Sequence, residues 1–200
     1  MTCNAWGNSM STRTLTVALI ASMANSAWAS FHLFAIDEFF TSPDGAVQFI
    51  EMFSSSGSQQ FLNGNTITAS DVGNTQSHIF TFGSNLPGDS ANHHVLIATA
   101  GFGSLPGGVT PDYTLPANFL FLGGSVTLNG ANQGSVNYAA MPNDGIQSFY
   151  VGGPSGVNSP MNYGGQGGSV VVPEAKAGLL FGLGALFLVP FRARRLRICV

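Results

Sequence analysis

Short apolar or alternating runs recur through the middle of this chain, separated by turn residues. The runs are Phe31–Phe40, Ala46–Phe53, Phe61–Thr68, His78–Phe82, Val95–Ala100, Phe119–Leu122, Ser125–Leu128, Val136–Ala140 and Ile146–Val151. Between them stand segments such as Ser42-Pro43-Asp44-Gly45, Leu86-Pro87-Gly88-Asp89 and Pro142-Asn143-Asp144-Gly145. Gly supplies positive φ, Pro presets φ, and Asn or Asp closes a turn through its side-chain oxygen, so these segments predict reversals of direction. Short strands with regular punctuation predict an all-β fold, a sandwich or a barrel. No segment from Ser30 to Val172 keeps a 3.6-residue apolar period over three turns, so no amphipathic helix is expected there. Asn129-Gly130 and Asn143-Asp144-Gly145 predict turns in which the glycine takes positive φ. Residues 152–171 become rich in Gly, Ser, Asn and Pro, including Gly164-Gly165-Gln166-Gly167-Gly168, and that composition predicts a flexible tether.

Both ends break the pattern. Near the N-terminus, Arg13 precedes an apolar stretch from Leu15 to Met23, and Ala27-Trp28-Ala29 places small residues where a signal peptidase reads. Residues 1–29 are therefore expected to be a secretory signal peptide cleaved before Ser30, with Met1 or Met10 as the start. At the other end, Val172-Pro173-Glu174-Ala175 leads into an apolar run from Ala177 to Phe191, followed by Arg192, Arg194, Arg195 and Arg197. As a helix the run would cover roughly 22 Å at about 1.5 Å per residue, against about 30 Å for a hydrocarbon core. Such a single anchor helix requires tilt, local thinning or snorkelling arginines. The arginines predict a cytoplasmic C-terminus with everything before the anchor exported.

These three parts in residues 172–200 resemble the PEP-CTERM sorting signal of Gram-negative bacteria. The motif residues are Pro173-Glu174, and Ala175 stands where the family's second proline usually sits. The resemblance implies recognition by an exosortase-type membrane protease-transpeptidase, transit through the inner membrane, and release to the cell surface or extracellular matrix. An ordinary membrane helix with stop-transfer charges is the alternative reading of the same residues.

Charge sharpens the picture of the exported part. Every Lys and Arg lies outside Ser30–Val172: Arg13, Lys176, Arg192, Arg194, Arg195 and Arg197. Within those bounds stand Asp37, Glu38, Asp44, Glu51, Asp71, Asp89, Asp112 and Asp144. A surface without a single permanent cation does not collect phosphates, which argues against nucleic acid as a partner. No carboxylate there has a Lys or Arg to pair with, so any buried acid must be satisfied by N–H groups, hydroxyls, histidine, water or a cation. Cys3 and Cys199 both fall outside the domain, so no internal disulfide is expected.

A second resemblance covers roughly Phe31 to Ala100. Ile36-Asp37-Glu38, Phe49-Ile50-Glu51-Met52-Phe53 and Phe61-Leu62-Asn63-Gly64-Asn65-Thr66-Ile67 are similar to the opening strands of a lamin-tail domain. Leu86-Pro87-Gly88 followed by Val95-Leu96-Ile97-Ala98 resembles that family's later Pro-Gly turn and apolar strand, although Asn65 stands where an aromatic is usual. The resemblance implies an immunoglobulin-like β-sandwich over residues 30–151, serving adhesion or scaffolding rather than catalysis. Exopolysaccharide or matrix proteins would then be its partners.

Candidate chemistry centres on a few side chains. Strand parity puts Glu51 with Val47, Phe49 and Phe53, and Glu38 with Phe34, Ile36 and Phe40. If those faces point inward, buried carboxylates lack a basic partner, and Asp37, Glu38 and Glu51 become candidate oxygen ligands for Ca²⁺. The plainer reading makes the same acids acceptors for backbone N–H groups, and a further one makes them an acid/base pair with one raised pKa. His93-His94, with His78 or Asp89, forms a second candidate metal group, though the spacing lacks the separated pairs of zinc sites. No Gly-x-Ser-x-Gly nucleophile elbow and no phosphate loop occur. The sequence thus favours a non-enzymatic exported surface protein. The alternative is a secreted metal- or carboxylate-dependent hydrolase, which would require the carboxylates and histidines to converge.

Overall fold

The computed structural model describes residues 31–172. The expected signal peptide with its cleavage residues Ala27, Ala29 and Ser30, the motif residues Pro173, Glu174 and Ala175, the anchor and the arginine cluster lie outside the described residues. The described chain is all-β, its one helical element a 3₁₀ turn at Phe102–Ser104. Ten strands form two sheets: β1 (Ala35–Thr41), β2 (Gln48–Ser54), β3 (Thr66–Asp71), β4 (Ser77–Thr81), β5 (His93–Thr99), β6 (Tyr113–Leu115), β7 (Gly124–Asn129), β8 (Ser135–Tyr138), β9 (Gln147–Tyr150) and β10 (Gly156–Val157). The six-stranded sheet runs β10-β9-β1-β2-β5-β6 and the four-stranded sheet β4-β3-β7-β8. All pairings are antiparallel except β5 with β6.

The two sheets meet through alternate residues of each strand. Ile36, Phe39, Ile50, Met52, Val95 and Ile97 of the larger sheet pack on Ile67, Ala69, Val126, Leu128 and Val136 of the smaller. Aromatic contacts tie the centre, with Phe39 stacked on Phe149 at 4.9 Å between centroids. A second cluster lies on the opposite face of the larger sheet, where Phe40, Phe49, Leu96 and Ala98 meet Phe102, Val109 and Val170. The larger sheet is thus apolar on both faces in its centre, which alternation alone cannot express.

Most expected runs coincide with strands to within a few residues, but two do not. Phe119–Leu122 is a loop, with Phe119 and Leu120 buried. Its backbone finds a side chain instead of a strand: the Gln48 amide donates to Leu120 O at 3.2 Å and accepts from Leu120 N at 3.0 Å. In Phe61–Thr68 only Thr66 onward is strand, while Leu62 plugs the core from a turn. β6 and β10 are too short to carry a readable period. Gly130 and Gly145 do take positive φ, 90° and 75°.

The larger departure is at residues 152–171. The stretch expected as a tether is a strap folded across the outer face of the six-stranded sheet. Asn158 and Val170 are fully buried. The Asn158 side chain accepts from Val170 N and donates to Val170 O, both at 2.7 Å, closing the strap into a loop. Ser169 N donates to Gly107 O and Val172 N to Gly145 O, which fixes its far end. Glycine and serine read as flexible when nothing packs on them, but here they let the backbone lie close to the sheet: a Cβ at Gly168 would crowd Gly107 O and Val109.

Candidate functional site

The strap is held by carboxylates. Alternate strap amides each meet one: Ser159 N donates to Glu38 Oε1 at 2.9 Å, Met161 N to Glu51 Oε2 at 2.6 Å, and Tyr163 N to Asp112 Oδ2 at 2.9 Å. An extended segment turns every second N–H the same way. Here that row of donors falls on acids rising from the sheet and its β6 edge rather than on a neighbouring strand. Asp112 also accepts Leu96 N at 2.8 Å, and Ser159 Oγ donates to Glu38 Oε2 at 3.1 Å. Glu38, buried and without a basic partner, is thereby satisfied by the amide and hydroxyl of Ser159.

A β-bulge sets this up. The register of β1 on β2 passes from Ile36↔Met52 to Glu38↔Glu51, so Asp37 is the extra residue. The bulge breaks the parity expected from sequence: Ile36 and Phe34 face the inter-sheet core, whereas Glu38 joins Phe40 on the outer face. Glu38 and Glu51 therefore point not between the sheets but under the strap, directly opposite each other across β1 and β2. Glu38 is 1% and Glu51 3% exposed. Burial raises the pKa of both, that of Glu51 to about 8, while the amide and hydroxyl bonds to Glu38 oppose its rise. Asp112 is likewise raised by burial, against the pull of the Leu96 and Tyr163 amides.

Glu51 has one more partner. Its Oε1 lies 2.6 Å from Nδ1 of His94, a residue of β5 opposite Phe53, whose ring it also contacts. A contact of this length is drawn either as an ion pair or as a neutral acid–imidazole bond. Burial lowers the His94 pKa and raises that of Glu51, so it works against the charged form of both partners, while Oε2 accepts from Met161 N. Asp37, exposed at the bulge, completes a group whose donor atoms, with one each from Glu51 and His94, lie within 4.8 Å of one another.

The candidate residues are thus regrouped. Of the expected set Asp37, Glu38 and Glu51, both oxygens of Glu38 are engaged by Ser159, and His94 takes its place beside the other two. The second expected group does not assemble. His78 sits on β4 of the other sheet, its Nδ1 against Phe119 O. His93 Nδ1 meets Tyr163 O at 2.9 Å and its ring stacks on Tyr163. The Asp89 carboxylate accepts from Ser58 N and Ala91 N, as a loop-organising acid. Sequence reading missed Asp112 and the strap amides altogether, because a backbone donor leaves no trace in side-chain pattern. Surface concavities of about 410, 340 and 180 Å³ are lined elsewhere, by residues around Asp71, His78 and Asp44 respectively.

Comparison with protein-family models, curated proteins and solved structures finds no match to this chain.

Proposed function

We propose that this chain is an exported, non-enzymatic surface or extracellular-matrix protein, its acidic β-sandwich serving adhesion or scaffolding and its C-terminal tail serving sorting. The sandwich is read as an immunoglobulin-like, lamin-tail-like module, and the tail as a substrate for an exosortase-type enzyme after signal-peptidase cleavage at Ala29–Ser30. One observation carries the non-enzymatic part: the buried acids Glu38 and Glu51, and Asp112 at the β6 edge, each accept a strap amide. A general base needs a free lone pair aimed at substrate, whereas Glu38 has both oxygens engaged by Ser159 and Glu51 has one engaged by Met161 N and the other by His94. Val172, the last described residue, is still bonded to the domain through Gly145 O and directly precedes Pro173-Glu174 in sequence. That suits a protein held at a surface, where load on the tail would be taken up by the sheet. The hydrolase reading draws on the Glu51–His94 contact alone.

Intact-mass analysis of the protein from its native host tests this reading, wild type beside Pro173→Ala/Glu174→Ala. Loss of residues 1–29 and removal of the tail near Pro173, abolished in the variant, is the expected result. A tail retained in both would make the segment a plain anchor and overturn the sorting part. Hydrolysis of a glycoside, ester or peptide substrate by the purified protein, lost in His94→Ala, would overturn the non-enzymatic part.

A further inference from the structure

We propose that Asp37, Glu51 and His94 form a binding site for a divalent transition-metal cation of the Zn²⁺ class, with water completing its coordination. The inference goes beyond the sorting and scaffolding reading and holds whether or not the tail is removed. One nitrogen and two carboxylate donors already lie within 4.8 Å of one another. A Zn²⁺ ion bound at about 2.0–2.2 Å holds its ligand atoms a little over 3 Å apart. Asp37 is exposed and turns freely, so the contraction falls on a side chain that no packing opposes. Glu51 Oε1 and His94 Nδ1 already face each other, 2.6 Å apart across a single proton, and need to separate by at least a few tenths of an ångström to admit the ion. The ion takes that proton's place, and the proton leaves to solvent, as ligation by carboxylate and neutral imidazole requires.

Three further observations bear on the choice of ion. The domain has no Lys or Arg between Ser30 and Val172, so no fixed cation competes with a metal ion for Asp37 and Glu51. The β1 bulge inserts Asp37 at the exposed rim, beside the buried Glu51, and His94 is 25% exposed, so the group is open to solvent on one side. Ca²⁺ takes six to eight oxygens. The group offers an imidazole instead, and Glu38, the oxygen donor that would extend it, is held by Ser159 on both atoms. Mixed nitrogen and oxygen donors in small number suit Zn²⁺ and its neighbours.

The test is isothermal titration calorimetry on the full, untagged chain after chelator treatment, with ZnCl₂ and CaCl₂ titrated separately in two buffers of different protonation enthalpy. Saturable one-to-one Zn²⁺ uptake with buffer-dependent heat, showing proton release, is expected, and Ca²⁺ should bind far more weakly. Asp37→Asn and His94→Ala should each weaken Zn²⁺ by at least about tenfold. Asp37 is exposed, so its variant folds and keeps the test decisive should His94→Ala unfold. Absence of saturable Zn²⁺ uptake, affinity unchanged in Asp37→Asn, or Ca²⁺ bound as tightly as Zn²⁺ would each overturn the proposal.

Discussion

On its inner face the six-stranded sheet meets the second sheet through carbon, with Phe39, Ile50, Met52, Val95 and Ile97 closed over by Ile67, Val126 and Leu128. On its outer face the same strands are also buried, yet Glu38 and Glu51 stand there beside Phe40 and Phe49, and the cover is a Gly- and Ser-rich strap. The inner face is stabilised by area and packing, the outer one by hydrogen bonds from backbone to acid as well as by a smaller apolar cluster. Non-directional burial tolerates wide change in sequence. A buried hydrogen bond does not, because removing one partner leaves the other with its full desolvation cost. The two faces should therefore fail differently, the inner by global unfolding and the outer by release of the strap.

Truncating the inner face should have the largest effect. Phe39→Ala removes a fully buried ring stacked on Phe149. It is expected to cost about 3–5 kcal/mol, seen as a single lowered urea midpoint for every probe. A loss confined to the strap would show that the faces are not independent. Next comes Glu51→Ala, which strands Met161 N and His94 Nδ1 under the strap. The expected cost is about 1–3 kcal/mol, with residues 158–172 losing protection while β1, β2 and β5 keep theirs. Glu51→Gln keeps the shape and the neutral charge, its amide nitrogen facing Nδ1 and its oxygen facing Met161 N, so the strap should stay closed.

Acid should sharpen the contrast. The Glu51 pKa is raised in the folded protein from its ordinary value of 4.5 to about 8, so its contribution is complete below 4.5 and is lost as pH rises through 8. Glu38 and Asp112, also raised by burial, act in the same direction, whereas His94, lowered by burial, opposes them as pH falls below 6.5. In chelator-containing buffer the melting temperature should therefore climb by several degrees from pH 8.5 down to pH 5.5, and Glu51→Gln should flatten the climb. Stability falling with acid in the wild type would show that Glu51 is ionised in the fold. The smallest effect is expected from Gly145→Ala. Gly145 has φ of 75°, and an added Cβ would collide with the Val172 carbonyl. A cost of about 1–2 kcal/mol, with loosening of the strap around Val172, should appear in the melt and in proteolysis near Val172.

The two faces also differ in how much of them the sequence discloses. Short apolar or alternating runs located β1, β2, β5, β7, β8 and β9 within a few residues. β2 and β5, covered on both faces, read as continuous apolar runs, whereas β7 and β8 keep a two-residue period because one side lies against carbon. The Asp37 bulge is invisible to that period, and it reverses the face of Glu38 relative to Ile36. Gln48, buried and paired with the Leu120 backbone, reads in sequence as one more polar strand residue. Glu51 and His94 stood out as an unpartnered acid and one of a histidine pair, but they are 43 positions apart and only the β2–β5 pairing joins them. The strap was the least legible part. Its contacts are made by the amides of Ser159, Met161 and Tyr163, which any residue but proline supplies, and its glycines are the composition of a linker as well as of a backbone pressed against a sheet.

Native-state hydrogen exchange at the amides of Ser159, Met161 and Tyr163 bears most directly on the clasp. Bound to Glu38, Glu51 and Asp112, all three should exchange orders of magnitude more slowly than an open chain, and Glu51→Ala should release Met161 first. Exchange at open-chain rates in the wild-type protein would contradict the clasp and return residues 152–171 to the tether that their composition suggests.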